Sequence, residues 1–301
     1  MLRTFETTLT ESLSQNAILF NMLDFLKHLR LNYQFFILSG PFLLGGLFSP
    51  RTTILQFLIQ FISIHGLLFG GVTAYNSYYD KDTGPIGGLE HPPIMKKWML
   101  YASWGLQGAG LLIALVSGWV FSILYVISVL FFWLYSSPHT RWKGSPTMSF
   151  VAIGIATVVC SFGFGYISFG GQIFNYNLLI AAFGATCLVL SMYPLSQLYQ
   201  IEADKKRGDT TFAVKYGLKG VRTSFIAFFD LGGLLLSYSF LKISNSVSVI
   251  SLLVEVCVGL YVYTVLKKVS SDESAYKKIM KTKYISGMAF SIMILTLFFF
   301  T

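Results

Sequence analysis

Nine stretches of the chain, roughly 31–49, 53–79, 97–117, 119–136, 147–169, 175–199, 220–241, 246–266 and 282–300, are apolar over close to the ~20 residues that a helix needs to cross a bilayer. Nothing else in the sequence constrains the fold as strongly. Inside hydrocarbon every backbone N–H and C=O must be paired within the protein, which leaves helices for segments of this length. Of 301 residues, 54% are hydrophobic and only 12% charged, a usage outside that of soluble domains. The sequence therefore predicts a single all-α polytopic membrane domain over 1–301 with nine transmembrane helices. The first thirty residues are mixed and charged, without the apolar run of a cleavable signal peptide. Within this N-terminal segment, 13–31 sets Leu19, Phe20, Met22, Leu23, Phe25 and Leu26 among Asp24, Lys27, His28 and Arg30, the pattern of an interfacial helix.

Orientation follows from the basic residues. With a cytoplasmic N-terminus, nine spans place the N-terminal tail and the connections 80–97, 137–146, 200–219 and 267–281 on the same side, and these hold nearly all Lys and Arg. The other side keeps only Arg51 and Lys242, and Thr301 ends there. The net charge of +9 is thus a topology marker, and no soluble domain is large enough to present a basic face to nucleic acid. Cys160, Cys187 and Cys257 lie apart inside apolar spans, as small packing residues do, without the spacing of a zinc site.

The polar connections face inward, so chemistry belongs at the inner surface. Two of them, 80–97 and 200–219, correspond in character. Each follows an apolar span and carries Asp at its helix end with basic residues beyond, which suggests two pseudo-equivalent halves. Asn76 and Asp80 are four apart, as are Gln200 and Asp204, so each pair shares one helix face. Oxygen donors at this spacing, with Asp82 and Glu202 beside them, suit Mg²⁺, a hard cation that bridges to phosphate oxygens. Lys205, Lys206 and Arg207 follow the second pair and offer charge to phosphate oxygens or to lipid headgroups.

The order Asn76-x3-Asp80, a Gly/Pro loop from Gly84 to Gly88, Tyr135-Ser136-x4-Arg141-x-Lys143, and Gln200-x3-Asp204-x3-Gly208-x2-Thr211 resembles the UbiA superfamily of intramembrane prenyltransferases over essentially the whole chain. The resemblance implies a barrel-like helical bundle around an apolar cavity, capped by the two loops. Its implied activity is Mg²⁺-assisted loss of diphosphate from an isoprenyl diphosphate, followed by prenyl transfer to a lipophilic aromatic or quinone-precursor acceptor. It assigns catalysis to Asn76, Asp80, Asp204 and Lys143, metal ligation to Asn76, Asp80, Asp82, Gln200, Glu202 and Asp204, and substrate binding to Arg141, Lys143, Tyr135, Tyr199, Lys205 and Arg207. The sequence departs from the family pattern at Ser77, Gly84 and Gln200, where acidic residues are usual.

Tyr75, Tyr79, Tyr193 and Tyr199 lie near the motif ends, where π-clouds can face a carbocation, although core packing is the commoner role. His91 and His139 fall in loops and His65 within a span. Asp230 and Glu255 fall near mid-bilayer, where an ionisable side chain is expected to point inward and either exchange a proton or pair for packing. Two other functions remain open at this level: a terpene cyclase of the same superfamily, which needs no acceptor, and a transporter with Asp230 and Glu255 as its proton relay.

Overall fold

A computed structural model of the chain describes residues 19–172 and 174–300. Positions 13–18 of the expected interfacial helix lie outside the described residues. The remainder forms α1 (19–29), which buries Phe25, His28 and Leu29 and leaves Leu19, Phe20, Met22, Leu23 and Leu26 exposed.

The stretch expected as the first span is two short helices, α2 (Leu31–Ile37) and α3 (Gly40–Leu47), parted at Leu38 and Ser39. Pro41 lies in the first turn of α3. It has no N–H to give the Ile37 carbonyl, and its ring crowds that turn, so one continuous helix cannot pass. Helix α3 is buried along its whole length. Then come α4 (Ile54–Asp80), α5 (Lys97–Val116), α6 (Trp119–Ser136), α7 (Pro146–Ser168) and α8 (Tyr176–Leu198). Helices α4 and α7 each contain a wider π-helical stretch, Ser63–Phe69 and Gly154–Val159. Pro194 interrupts the regular α-helix of α8 after Met192.

Much of the connection 200–219 is helical rather than loop. It holds α9 (Ile201–Arg207) and the beginning of α10 (Phe212–Leu241), whose backbone breaks at Gly217 with φ 61°. Its charges sit on turns of helix, so hydropathy alone does not reveal those helices. Helices α11 (Asn245–Lys267) and α12 (Tyr276–Phe300) complete the chain. Eight helices among the described residues are long and apolar enough to cross a membrane.

The helices pack as a ring. In chain order α4 meets α5, α5 meets α6, α6 meets α7, α7 meets α8, α8 packs on α10, α10 on α11, and α11 on α12; α12 returns to α2 and α3 and closes it. Inner faces bury Phe42, Leu44, Phe69, Phe121, Phe164 and Phe240, while Leu55, Val116, Trp119 and Leu179 face outward. Two glycines fix the closest approach. A Cβ on Gly45 would lie 2.0 Å from the carbonyl oxygen of Phe162, and one on Gly165 would lie 1.8 Å from that of Phe42. At this crossing of α3 and α7 backbone meets backbone, as in small-residue contacts between membrane helices. Neither carbonyl can swing away as a side chain would.

Gly165→Ala should therefore exceed the about 1–3 kcal/mol usual for overpacking. Thermal unfolding of detergent-purified protein should show a large loss of stability or no monodisperse protein. Gly105→Ala, at an exposed glycine where an added Cβ meets nothing within 4 Å, should leave the unfolding midpoint near that of the parent.

Candidate functional site

The ring encloses a cavity of about 280 Å³ with a polar mouth and an apolar interior. Helix α4 delivers Asn76 and Asp80 to the mouth, one turn apart on one face. The helix ends at Lys81, whose φ of 51° makes a left-handed turn, and Asp82 beyond it lines the same cavity. From the other side come Gln200 and Asp204, with Arg207 one turn further on. The two Asp-bearing motifs thus meet over one space.

Helical periodicity separates the second cluster into two sets. Gln200, Asp204 and Arg207 share the face of α9 that lines the cavity. Glu202, two residues from Asp204, lies on the opposite face and pairs with Lys205 at 3.1 Å, both side chains more than half exposed. Glu202 and Lys205 therefore do not reach the cavity, against the expectation that they serve metal and substrate. Tyr199 does not line it either. Its ring is buried edge-on against Tyr276, and its hydroxyl points to the sulfur of Met280.

At the mouth, charges are joined in a chain. Lys143, held in the short turn Trp142–Gly144, contacts Asp80, and Arg141 stands 3.7 Å from the same carboxylate. Arg141 also holds Asp209 in a bidentate pair, Nε to Oδ1 at 2.6 Å and a terminal nitrogen to Oδ2 at 2.7 Å. Arg207 binds Asp82, Asp204 (2.5 Å) and Asp209 (3.4 Å). Thr211 donates to the second oxygen of Asp204 at 3.1 Å. Arg141 is thus a positioning residue rather than part of the wall. Asp209 lines the cavity and is tied to both arginines.

These contacts set the protonation of the site. Burial raises the Asp204 carboxyl, and Arg207 with Thr211 only partly opposes it. Burial also acts to raise Asp209, but the hydrogen bonds and charge of Arg141, helped by Lys143 and Arg207, bring it below the ordinary carboxylate range. For Arg207, burial is outweighed by Asp82 and Asp204, and the guanidinium is held more firmly charged. Burial, then Arg207, draw the Lys143 ammonium down to about 7, so its charge depends on the carboxylates around it.

The amides are oriented as well. Asn76 donates through Nδ2 to Ser136 at 3.0 Å, and Gln200 through Nε2 to the Pro85 carbonyl at 3.3 Å. Each spends its N–H₂ on the protein, which leaves its carbonyl oxygen for a ligand. Tyr135 lines the wall and shares a hydrogen bond with Tyr193 at 3.0 Å. Tyr75 and Tyr79 pack edge-to-face on one another.

Oxygen donors of this kind fit Mg²⁺ in one particular way. Among the described residues no three acidic, histidine or cysteine side chains converge closely enough to cage an ion. Mg²⁺ commonly keeps several waters and takes one or two carboxylates plus phosphate oxygens. The spread of Asp80, Asp82 and Asp204, with Asn76 and Gln200, suits ions shared with a bound diphosphate rather than a closed protein site.

Two cations at the cavity wall carried no motif. Arg30, at φ 50° ahead of α2, donates to Ser77 at 2.7 Å and to the Gly87 carbonyl at 3.3 Å. Lys283 on α12 is buried and donates to Tyr33 at 2.7 Å and Ser196 at 3.2 Å. Only their placement at inner helix ends hinted at them, a position shared with many topology-setting cations. Of the mid-span carboxylates, Glu255 is buried and lines the cavity, whereas Asp230 is exposed on the outer side of α10, contrary to the inward orientation expected. His65 is buried among Phe35, Phe42, Phe61 and Phe69, away from the cavity wall, and His91 and His139 are exposed. Cys160 and Cys187 are buried and Cys257 is exposed, all three free.

Comparison with known proteins agrees with this architecture. Residues 35–286 match the UbiA prenyltransferase family. A chloroplastic 2-acylphloroglucinol 4-prenyltransferase of Humulus lupulus is 30% identical over 204 residues, 64% of this chain and 48% of that protein. A second 2-acylphloroglucinol 4-prenyltransferase from the same plant is 29% identical over 196 residues, 62% of this chain and 46% of that protein. The chain spans about half the length of these curated relatives. Among solved structures, a UbiA homolog from Archaeoglobus fulgidus bound to GPP and Mg²⁺ superposes with a TM-score of 0.70 at 18% identity, covering 91% of this chain and 99% of that one. A digeranylgeranylglyceryl phosphate synthase structure gives 0.61 at 21% identity, with 92% and 99% covered. With its long apolar helices closed into this ring and the family match running through both Asp motifs, the chain is a multi-pass membrane protein that belongs to the UbiA prenyltransferase family.

Proposed function

We propose that the chain is an intramembrane prenyltransferase that binds an isoprenyl diphosphate at the cavity mouth and transfers the prenyl group to a lipophilic aromatic or quinone-precursor acceptor. The observation that carries this reading is the meeting of Asp80, Asp82 and Asp204 above one cavity that is polar at its mouth and apolar within. Such a space takes a charged head and a hydrocarbon tail. The names of the Humulus relatives and the GPP and Mg²⁺ of the Archaeoglobus structure point the same way. Positive-inside bias puts the mouth and the N-terminus on the cytoplasmic side and the C-terminus opposite.

Asp80, Asp82 and Asp204 would hold Mg²⁺ together with the carbonyl oxygens of Asn76 and Gln200. Bound there, the metal would draw charge from the departing diphosphate. In the structure these carboxylates pair with Lys143 and Arg207. A magnesium diphosphate brings both signs of charge, so the pairs can exchange partners. The carboxylates would hold the cation, Lys143 and Arg207 would pair with phosphate oxygens, and no buried charge would be left alone. Breakage of the C1–O bond then sends the electron pair with the diphosphate, where Lys143, Arg207 and Arg30 hold it. The prenyl cation faces a cavity from which water is excluded, beside Tyr135 and Phe132. The acceptor carbon bonds to C1 and gives up its proton to the released diphosphate.

Asp80→Asn and Asp204→Asn should each lower prenyl transfer by about 10² or more while the protein stays folded, since each removes charge at the point where diphosphate leaves. Turnover with dimethylallyl, geranyl or farnesyl diphosphate and a panel of phenolic acceptors checks this. Unchanged turnover in both variants, or no turnover with any pair, would sink the reading, and cyclic hydrocarbon formed without acceptor would convert it to a cyclase.

Chelation with EDTA should abolish transfer and excess Mg²⁺ restore it. Glu202→Gln, on the outer face of α9, should keep near-parental activity across the same Mg²⁺ titration.

A further inference from the structure

The donor reading leaves one buried acid unused. Glu255 is 5% exposed, sits midway along α11, and lines the same cavity as the Asp motifs. Ser251, one turn earlier, donates to its Oε1 at 3.2 Å. Its Oε2 is fully buried and has no hydrogen-bond partner. Around it the wall is apolar, with Phe229, Val254, Val258 and Phe290. An unpartnered carboxyl oxygen in such surroundings costs free energy that a Leu or Met would not, and no packing role calls for it.

Contacts between helices place it in depth. The cavity follows α8 from Gln197 inward to Ala185, which at 1.5 Å per residue is about 18 Å. A Cβ on Gly184 would lie 3.1 Å from the Gly232 carbonyl, and one on Gly233 would lie 2.7 Å from Glu255 Oε2. Glu255 is therefore level with Gly184 and Ala185, at the end of the cavity furthest from Gln200 and Asp204. The head group is held at the mouth, and the bond that breaks is next to it. Only the far end of the isoprenyl tail can reach this floor.

We infer that Glu255 sets the upper length of the isoprenyl diphosphate. A tail that ends short of the carboxyl gains apolar contact with each added unit. One that reaches it must press hydrocarbon against a carboxyl whose Oε2 already lacks a protein partner, and keeps water from reaching the group. Gly233 is the second element of the device, because the absence of a Cβ there lets the carboxyl lie back against α10.

This inference rests on the proposed donor site, and binding separates the two. Affinities of dimethylallyl, geranyl, farnesyl and geranylgeranyl diphosphate with Mg²⁺ are measured for the purified parent, Glu255→Leu, Glu255→Gln and Gly233→Ala. The parent series should strengthen with length and then turn over. Glu255→Leu should move the turnover to longer tails and raise the preference for the first disfavoured donor over its shorter neighbour about tenfold. Glu255→Gln should keep the parental order, its amide being no better matched to hydrocarbon. Gly233→Ala should push the flexible carboxyl into the cavity and move the turnover to shorter tails. An order of affinities that is the same in Glu255→Leu and parent overturns the inference. So does parental donor binding in Glu255→Leu with transfer lost for every donor, since the carboxyl would then serve the acceptor. Failure of every diphosphate to bind the parent overturns the donor site itself.

Discussion

Charge drawn out of water must be answered by opposite charge, and the mouth of the cavity is built around that requirement. Asp80, Asp82, Asp204 and Asp209 come from two distant parts of the chain, and Lys143, Arg141 and Arg207 stitch them together. Exposed pairs of this kind contribute little to stability, and buried ones often only offset their own desolvation. Their value here is geometric. The pairs hold α4, the 142–144 turn, α9 and the start of α10 around one space.

Below this polar lid the bundle works by close packing. The contact of Gly45 and Gly165 with opposing backbone draws α3 against α7, and α12 closes the ring against α2 and α3. A closed ring encloses the apolar cavity between its helices. It also permits α3 to be short and wholly buried, because its unpaired ends are shielded by protein rather than exposed to hydrocarbon. The break at Pro41 places Leu38, Gly40 and Pro41 in the cavity wall.

The inner and outer ends of the cavity impose different chemistry on the same ligand. Oxygen donors and cations gather where a diphosphate would lie, whereas the floor offers apolar walls and a carboxyl with one unpartnered oxygen. A head group and a tail are thereby distinguished by position alone. Glu255 and Gly233 make no contact with the ion-pair chain at the mouth.

The sequence by itself determined the helical class, the outward apolar surfaces, the sided distribution of basic residues and the family resemblance carried by Asn76, Asp80, Lys143 and Asp204. Hydropathy and spacing act along the chain, and these properties are local to it. The faces of α9 were also legible in principle: the spacing of Gln200, Asp204 and Arg207 already set them apart from Glu202 and Lys205. Reading the cluster by proximity rather than by helical turn obscured that. Only the tertiary structure decided that Tyr199 turns away to Tyr276, that Arg30 and Lys283 join the wall, and that Asp230 faces out while Glu255 faces in. Each of these depends on which helices are neighbours and how they are rotated, and that is fixed by contacts between residues far apart in sequence.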